Sequence, residues 1–95
     1  MYNKAEIFSF SNISATPTSF ILRGGNYGVT AKATWGGGSL TLQRLAPDGT
    51  TYVTVMTAFT ADGYQSANLP GGTYRLLVAT ATAIYVDVVS TVTTQ

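Results

Sequence analysis

The chain has no cysteine and no histidine, and charged residues make up only 9% of it. Without cysteine there is no disulfide, no thiolate zinc site and no thiol redox chemistry, and the redox compartment is left open. Without histidine, the commonest general base and the commonest metal ligand are gone. A typical soluble domain is about 25% charged. Here Lys+Arg is 5 and Asp+Glu is 4, for a net charge of +1. A field that weak does not gather nucleic acid or an anionic membrane surface. No stretch approaches the roughly 20 apolar residues of a membrane-spanning helix. No apolar run of signal-peptide length follows Met1-Tyr2-Asn3-Lys4, so the expectation is synthesis in the cytosol without a cleaved export signal.

What the chain does have is threonine, at 16 of its 95 positions. β-Branching favours strands, and the hydroxyl can face water. The outer surface is therefore expected to be hydroxylic rather than ionic. Ordinary β-protein surface has this composition. So does a domain packed in an assembly, where free charges would be costly to desolvate. The length fits one domain, which buries roughly two-thirds of its unfolded surface.

The clearest pattern runs from Tyr27 to Trp35. Tyr27, Val29, Ala31, Ala33 and Trp35 alternate with Gly28, Thr30, Lys32 and Thr34. Side chains flip at every residue of a strand, so one face is apolar and the other polar. Gly36-Gly37-Gly38 permits a reversal. A second strand is predicted over 39–45 and a third over 51–56, joined by Ala46-Pro47-Asp48-Gly49-Thr50. Pro47 presets φ, Asp48 bonds its own backbone, and Gly49 accepts the left-handed region. A three-residue loop would set Leu42 opposite Thr54. A four-residue loop sets Leu42 opposite Val55 and Arg44 opposite Val53. The second gathers Leu40, Leu42, Val53 and Val55 on one face and is preferred.

Elsewhere, Ile7 to Ser11 reads as a short strand with Phe8 and Phe10 on one side. Residues 1–17 form either an amino-terminal arm able to add to a neighbour or the first strand of the domain's own sheet, with 18–95 as the sandwich proper. A strand over 18–23 alternates Phe20 and Leu22 against Ile21 and Arg23, and Gly24-Gly25-Asn26 turns the chain. Thr57 to Thr60 could extend the third strand. A strand follows over 64–69, then a turn at Pro70-Gly71-Gly72. Residues 73–79 and 83–92 read as a closing hairpin centred on Ala81. That register puts Tyr74, Leu76 and Val78 with Ile84, Val86 and Val88, and sets Arg75 directly opposite Asp87. No window shows helical spacing. Turns every 8 to 12 residues mark an all-β sandwich or barrel.

The motifs that could carry chemistry have simpler readings. Asp48 and Asp62 each precede a glycine in a tight turn, where aspartate has a structural task. Asp87 is assigned to Arg75. Nothing brings two carboxylates face to face, as glycoside hydrolysis requires. Lys32 lies on a polar strand face and reads as solvated. Gly36-Gly37-Gly38 lacks the Lys-Ser/Thr and the helix of a phosphate loop. The isolated acids do not make a calcium site. Neither a cofactor nor a metal is expected. Among the aromatics Tyr2, Tyr27, Trp35, Tyr52, Tyr64 and Tyr85, Trp35 falls on the apolar face. Tyr52 and Tyr85 fall outside, with Arg75. Exposed Tyr with Arg is the composition of an interface hot spot. The candidate partner interface is Tyr52, Arg75, Tyr85, Phe8 and Phe10.

Two stretches resemble known proteins. Thr41-Leu42-Gln43-Arg44-Leu45-Ala46-Pro47-Asp48-Gly49-Thr50-Thr51-Tyr52-Val53 is similar to a hairpin of small β-sandwich virion proteins of tailed bacteriophages and prophages. Leu69-Pro70-Gly71-Gly72-Thr73-Tyr74-Arg75 resembles a step shared by immunoglobulin-like and related sandwiches, with Gly71 where a second proline is usual. Together they span about a fifth of the chain. The resemblance implies a single antiparallel β-sandwich or flattened barrel of about seven strands, immunoglobulin-like. It implies a non-enzymatic virion protein that decorates and stabilises a capsid, often as a trimer. Its partners would be itself and a major capsid or other virion protein, and its location the virion. The alternative is a carbohydrate-binding or adhesin module on a tail or surface structure, using Trp35 or exposed tyrosines.

Overall fold

The computed structural model describes residues 7–90. Expectations for Tyr2, Lys4, Glu6 and the 93–95 tail lie outside these residues. The described chain forms eight strands: β1 (Ile7–Ile13), β2 (Phe20–Leu22), β3 (Gly25–Thr34), β4 (Ser39–Leu45), β5 (Tyr52–Thr54), β6 (Gly63–Leu69), β7 (Gly72–Ala79) and β8 (Thr82–Ser90). They make two antiparallel sheets of four. Sheet A has the order β1-β8-β3-β6 and sheet B the order β2-β7-β4-β5.

Only β4 and β5 are consecutive strands that pair within one sheet. Every other connection passes from one sheet to the other. This is the strand order of a jelly roll, two Greek keys folded into a sandwich. The all-β sandwich is as expected. Within it the crossing connections differ from the immunoglobulin-like arrangement, and there are eight strands rather than about seven, with Ile7–Ile13 paired to β8.

The period-two pattern explains the core. On β3 the buried positions are Tyr27, Val29 and Ala31; on β8 they are Ile84, Val86 and Val88. Leu40 and Leu42 of β4, Tyr74 and Leu76 of β7, and Phe20 and Leu22 of β2 face them from sheet B. Each fully buried side chain of this kind contributes about 1.5–3 kcal/mol. The Tyr74 hydroxyl donates to the Pro70 carbonyl at 2.6 Å, which satisfies its buried polar end. Burial also raises its pKa.

The four-residue register of the β4–β5 turn is observed: Arg44 pairs with Val53, Gln43 with Thr54, and the Val55 amide donates to Leu42 at 3.1 Å. The third strand is shorter than predicted. After Thr54 the chain leaves the ladder and returns as a single bridge between Phe59 and Leu40. Phe59 is thereby buried.

The closing hairpin is not observed. β7 belongs to sheet B and β8 to sheet A, so Arg75 and Asp87 lie on opposite outer faces. The predicted apolar set is correct, but it faces itself across the sandwich instead of lining one sheet. Two features hold this crossing. Gly38 packs against the Ala79 carbonyl oxygen and the Ala81 amide, with no room for a Cβ. Ser14 and Thr16 accept hydrogen bonds from the Ala83 and Val78 amides at 3.3 and 3.0 Å. The hydroxyl-rich β1–β2 connection thus covers β7 backbone beyond the short β2, through Thr16, and β8 backbone at the end of β1, through Ser14.

Candidate functional site: the two outer sheet faces

On the outer face of sheet B, β7, β4 and β5 bring Arg75, Gln43 and Thr54 into one cross-strand row. Arg75 Nε donates to Gln43 Oε1 at 2.8 Å, and Gln43 Nε2 donates to Thr54 Oγ1 at 3.4 Å. The Arg75 guanidinium lies 4.2 Å from the Tyr52 ring centroid, a cation–π contact. Gln43 is only 9% exposed, although it points outward. Thr41, equally covered, pairs with Leu77 in the next row. At the edge, Ile21 is 66% exposed.

The turn beneath this cluster is held by Asp48. Its carboxylate accepts from the Thr50 and Thr51 amides, both at 2.9 Å, and from the Thr51 hydroxyl at 2.7 Å. Those bonds favour the charged form and lower its pKa from 3.8 to about 2.

The outer face of sheet A is different. Its central row runs Ser9, Asp87, Thr30, Tyr64 across β1, β8, β3 and β6. Lys32 pairs with Tyr85 in the adjacent row. Tyr64 and Tyr85 are 60% and 48% exposed. Near one end of β3, Asp62 accepts from Trp35 Nε1 at 2.8 Å and from the Ala33 amide at 3.1 Å. The indole bond is the larger cause of its lowered pKa.

The predicted interface residues therefore separate into three places. Tyr52 and Arg75 come together on sheet B. Tyr85 stands on sheet A with Asp87, so the expected grouping of Tyr85, Arg75 and Asp87 is not formed. Phe8 and Phe10 point inward and pack on Phe20, with ring centroids 5.0 and 5.7 Å apart. Trp35 packs at the core edge, as its place in the alternation required. Sequence reasoning missed Gln43, whose role appears only once β4 is known to lie between β7 and β5. It also left Tyr64 as one aromatic among several.

Among the described residues, no three of the acids, His or Cys gather as a metal site. Asp48 and Asp62 are each engaged in local hydrogen bonds, while Asp87 sits mid-face on sheet A. No helix is long and apolar enough to cross a membrane. Compared with protein-family models, curated proteins and solved structures, the chain has no significant match in any of the three. Fold and faces thus define a jelly-roll-ordered sandwich with two chemically distinct outer surfaces.

Proposed function

We propose that the chain is a non-enzymatic structural protein of a bacteriophage particle, decorating and stabilising the capsid through the outer face of sheet B. The observation that carries this reading is the Tyr52–Arg75–Gln43 cluster. Two of its residues, Gln43 and Tyr52, stand on the β4–β5 hairpin whose residues resemble virion proteins, and Arg75 joins them from β7. Tyrosine and arginine are the types that dominate interface hot spots. Arg75 Nε and the Gln43 amide already bond within the row. Covering the face with a partner therefore leaves those groups satisfied. Leu77 and Ile21 add apolar area beside it. Jelly rolls recur among viral capsid and lectin domains, a fold-level analogy.

In this reading the partners are further copies of the chain, as a trimer, and a major capsid or other virion protein. No cofactor, nucleic acid or membrane takes part, and the location is the virion. The test identifies the genes flanking this one and uses particles assembled from a major capsid protein found among them; absence of such a gene would itself count against the proposal. Purified chain should sediment with them, and native mass spectrometry should show the trimer. Arg75→Ala and Tyr52→Ala should release it from the particles. A chain that stays monomeric at high concentration and never sediments with particles would refute the proposal.

A further inference from the structure

The outer face of sheet A carries a second arrangement that particle decoration does not use. Tyr64 reaches from β6 over Gly28 of β3. A Cβ built at Gly28 would sit 2.6 Å from the Tyr64 hydroxyl and 2.8 Å from its ring. The phenol end of Tyr64 therefore fills the space over Gly28, a glycine covered by an aromatic side chain of the adjacent strand. The residue is nevertheless 60% exposed, so much of it meets solvent. Tyr85 rises two strands away, on β8. Two strand spacings, roughly 10 Å, and two residues along β3 separate the tyrosines.

Beside each of them the surface is dished. One open depression of about 280 Å³ is lined by Thr30, Lys32, Tyr85, Asp87 and the two serines of β1. Another, of about 430 Å³, adjoins Tyr64 and Ser66, at the end where Asn68 Nδ2 donates to Asn26 Oδ1 at 2.9 Å. Both lie along β3. The polar groups are a carboxylate, an ammonium, hydroxyls and amides, which between them donate and accept in every direction. Lys32 and Asp87 are opposite in sign and occupy neighbouring rows of one face, so the surface selects neither an anion nor a cation.

We infer that this face is a binding site for a neutral oligosaccharide. A pyranose ring presents an apolar C–H face and an equatorial belt of hydroxyls. The C–H face fits an exposed aromatic ring, whose π-face is electron-rich. The hydroxyls fit the Asp87 carboxylate, the Lys32 ammonium and the serine and threonine hydroxyls. Tyr64 and Tyr85 provide two stacking points, and Thr30, Lys32, Asp87 and the β1 serines beside them provide the hydrogen bonds. Nucleic acid would stack equally well on tyrosine but would need an excess of cations along its backbone. One lysine beside one aspartate does not supply it.

The experiment is saturation-transfer NMR on the full chain, with cellotetraose, maltotetraose and triacetylchitotriose as neutral probes and sialyllactose as the charged control. At least one neutral probe should receive saturation, and sialyllactose should not. Tyr64→Ala and Tyr85→Ala should each weaken binding about tenfold. Gly28→Ala separates the platform from simple loss of a side chain. It keeps both tyrosines but lifts the Tyr64 ring, and should weaken binding about threefold with an unchanged circular-dichroism spectrum. Arg75→Ala, on the opposite sheet, should leave binding unaltered. Transfer to none of the neutral probes at millimolar concentration would overturn the inference. So would binding that survives both tyrosine substitutions, or binding lost equally with Arg75→Ala. If Tyr64→Ala and Tyr85→Ala altered only self-association, the face would belong to a second copy and the inference would also fail.

Discussion

The two outer faces are built from the same strand pattern, yet their polar groups are arranged in opposite ways. On sheet B the groups answer one another. Arg75 bonds Gln43, Gln43 bonds Thr54, and the guanidinium rests on Tyr52. On sheet A the tyrosines stand apart, and Asp87 and Lys32 occupy neighbouring rows beside open depressions. A surface whose polar row already shares hydrogen bonds leaves a protein partner chiefly the outer N–H groups of the guanidinium to satisfy. A surface with spaced groups and an open aromatic face suits a ligand that brings its own hydroxyls. The difference lies in the side chains that β3 and β4 present. On β4, Gln43 places a long amide between Arg75 and Thr54. On β3, Gly28 and Thr30 present little side chain, and Tyr64 covers the glycine.

The sharpest way to break the comparison is to remove what both faces share. Leu42 is 1% exposed in the common core. Leu42→Ala should cost about 3 kcal/mol, a large part of the 5–15 kcal/mol typical of such domains. Chemical denaturation would measure it, and both binding activities should fall together. Next comes Arg75→Ala. Loss of a central arginine anchor should reduce particle binding about thirtyfold, read by sedimentation, and leave saccharide binding intact. Tyr64→Ala should do the reverse. An equal response of both activities to either substitution would merge the two faces into one site.

Acid distinguishes the faces more gently. The Asp48 carboxyl titrates at about 2 in the folded chain and near 3.8 when free. A depressed folded pKa stabilises the fold above the unfolded value, and that contribution is lost as pH falls through the folded one. Melting temperature should therefore hold steady above pH ~5 and decline as pH drops from 3.8 toward about 2. Asp48→Asn should flatten that acid limb and, with it, any acid sensitivity of the sheet B face. Asp62 is shifted in the same direction on the sheet A side, so some acid sensitivity should persist there. The smallest effect lies at the crossing between the sheets. Thr80 has a φ of 68°, unfavourable for a β-branched residue. Thr80→Gly should raise stability by about 0.5–1 kcal/mol in a thermal melt, with both faces unchanged.

Much of this was legible residue by residue. Tyr27, Val29, Leu40, Leu42, Tyr74, Leu76, Ile84, Val86 and Val88 were all identified as inward-facing from alternation alone, and all are buried. The β4–β5 register followed from the turn, because a tight hairpin leaves few ways to pair. Alternation predicts a β7–β8 hairpin that does not form, because the same alternation serves a strand whichever sheet it joins. A nine-residue strand following an eight-residue one across a two-residue gap looks like a hairpin. Here the chain instead bends at Thr80 and Ala81 and crosses the sandwich. Phe59 was missed because it reaches the core from a connection with no period of its own. Half of the sheet B cluster was found, since Tyr52 and Arg75 are outward by parity. Gln43 and the hollow beside Tyr64 depend on which strands are neighbours.

The order of residues alone determined that this chain is all strand, which side chains turn inward, and where it must reverse. Those are local properties, set by a two-residue repeat and by the backbone freedom of glycine and proline turns. Tertiary structure alone decided which strand lies beside which, and hence that Arg75 meets Gln43 and Tyr52 rather than Asp87. Pairing joins residues far apart in the chain, and many partners satisfy the same alternation. Only closing both sheets over one core selects among them.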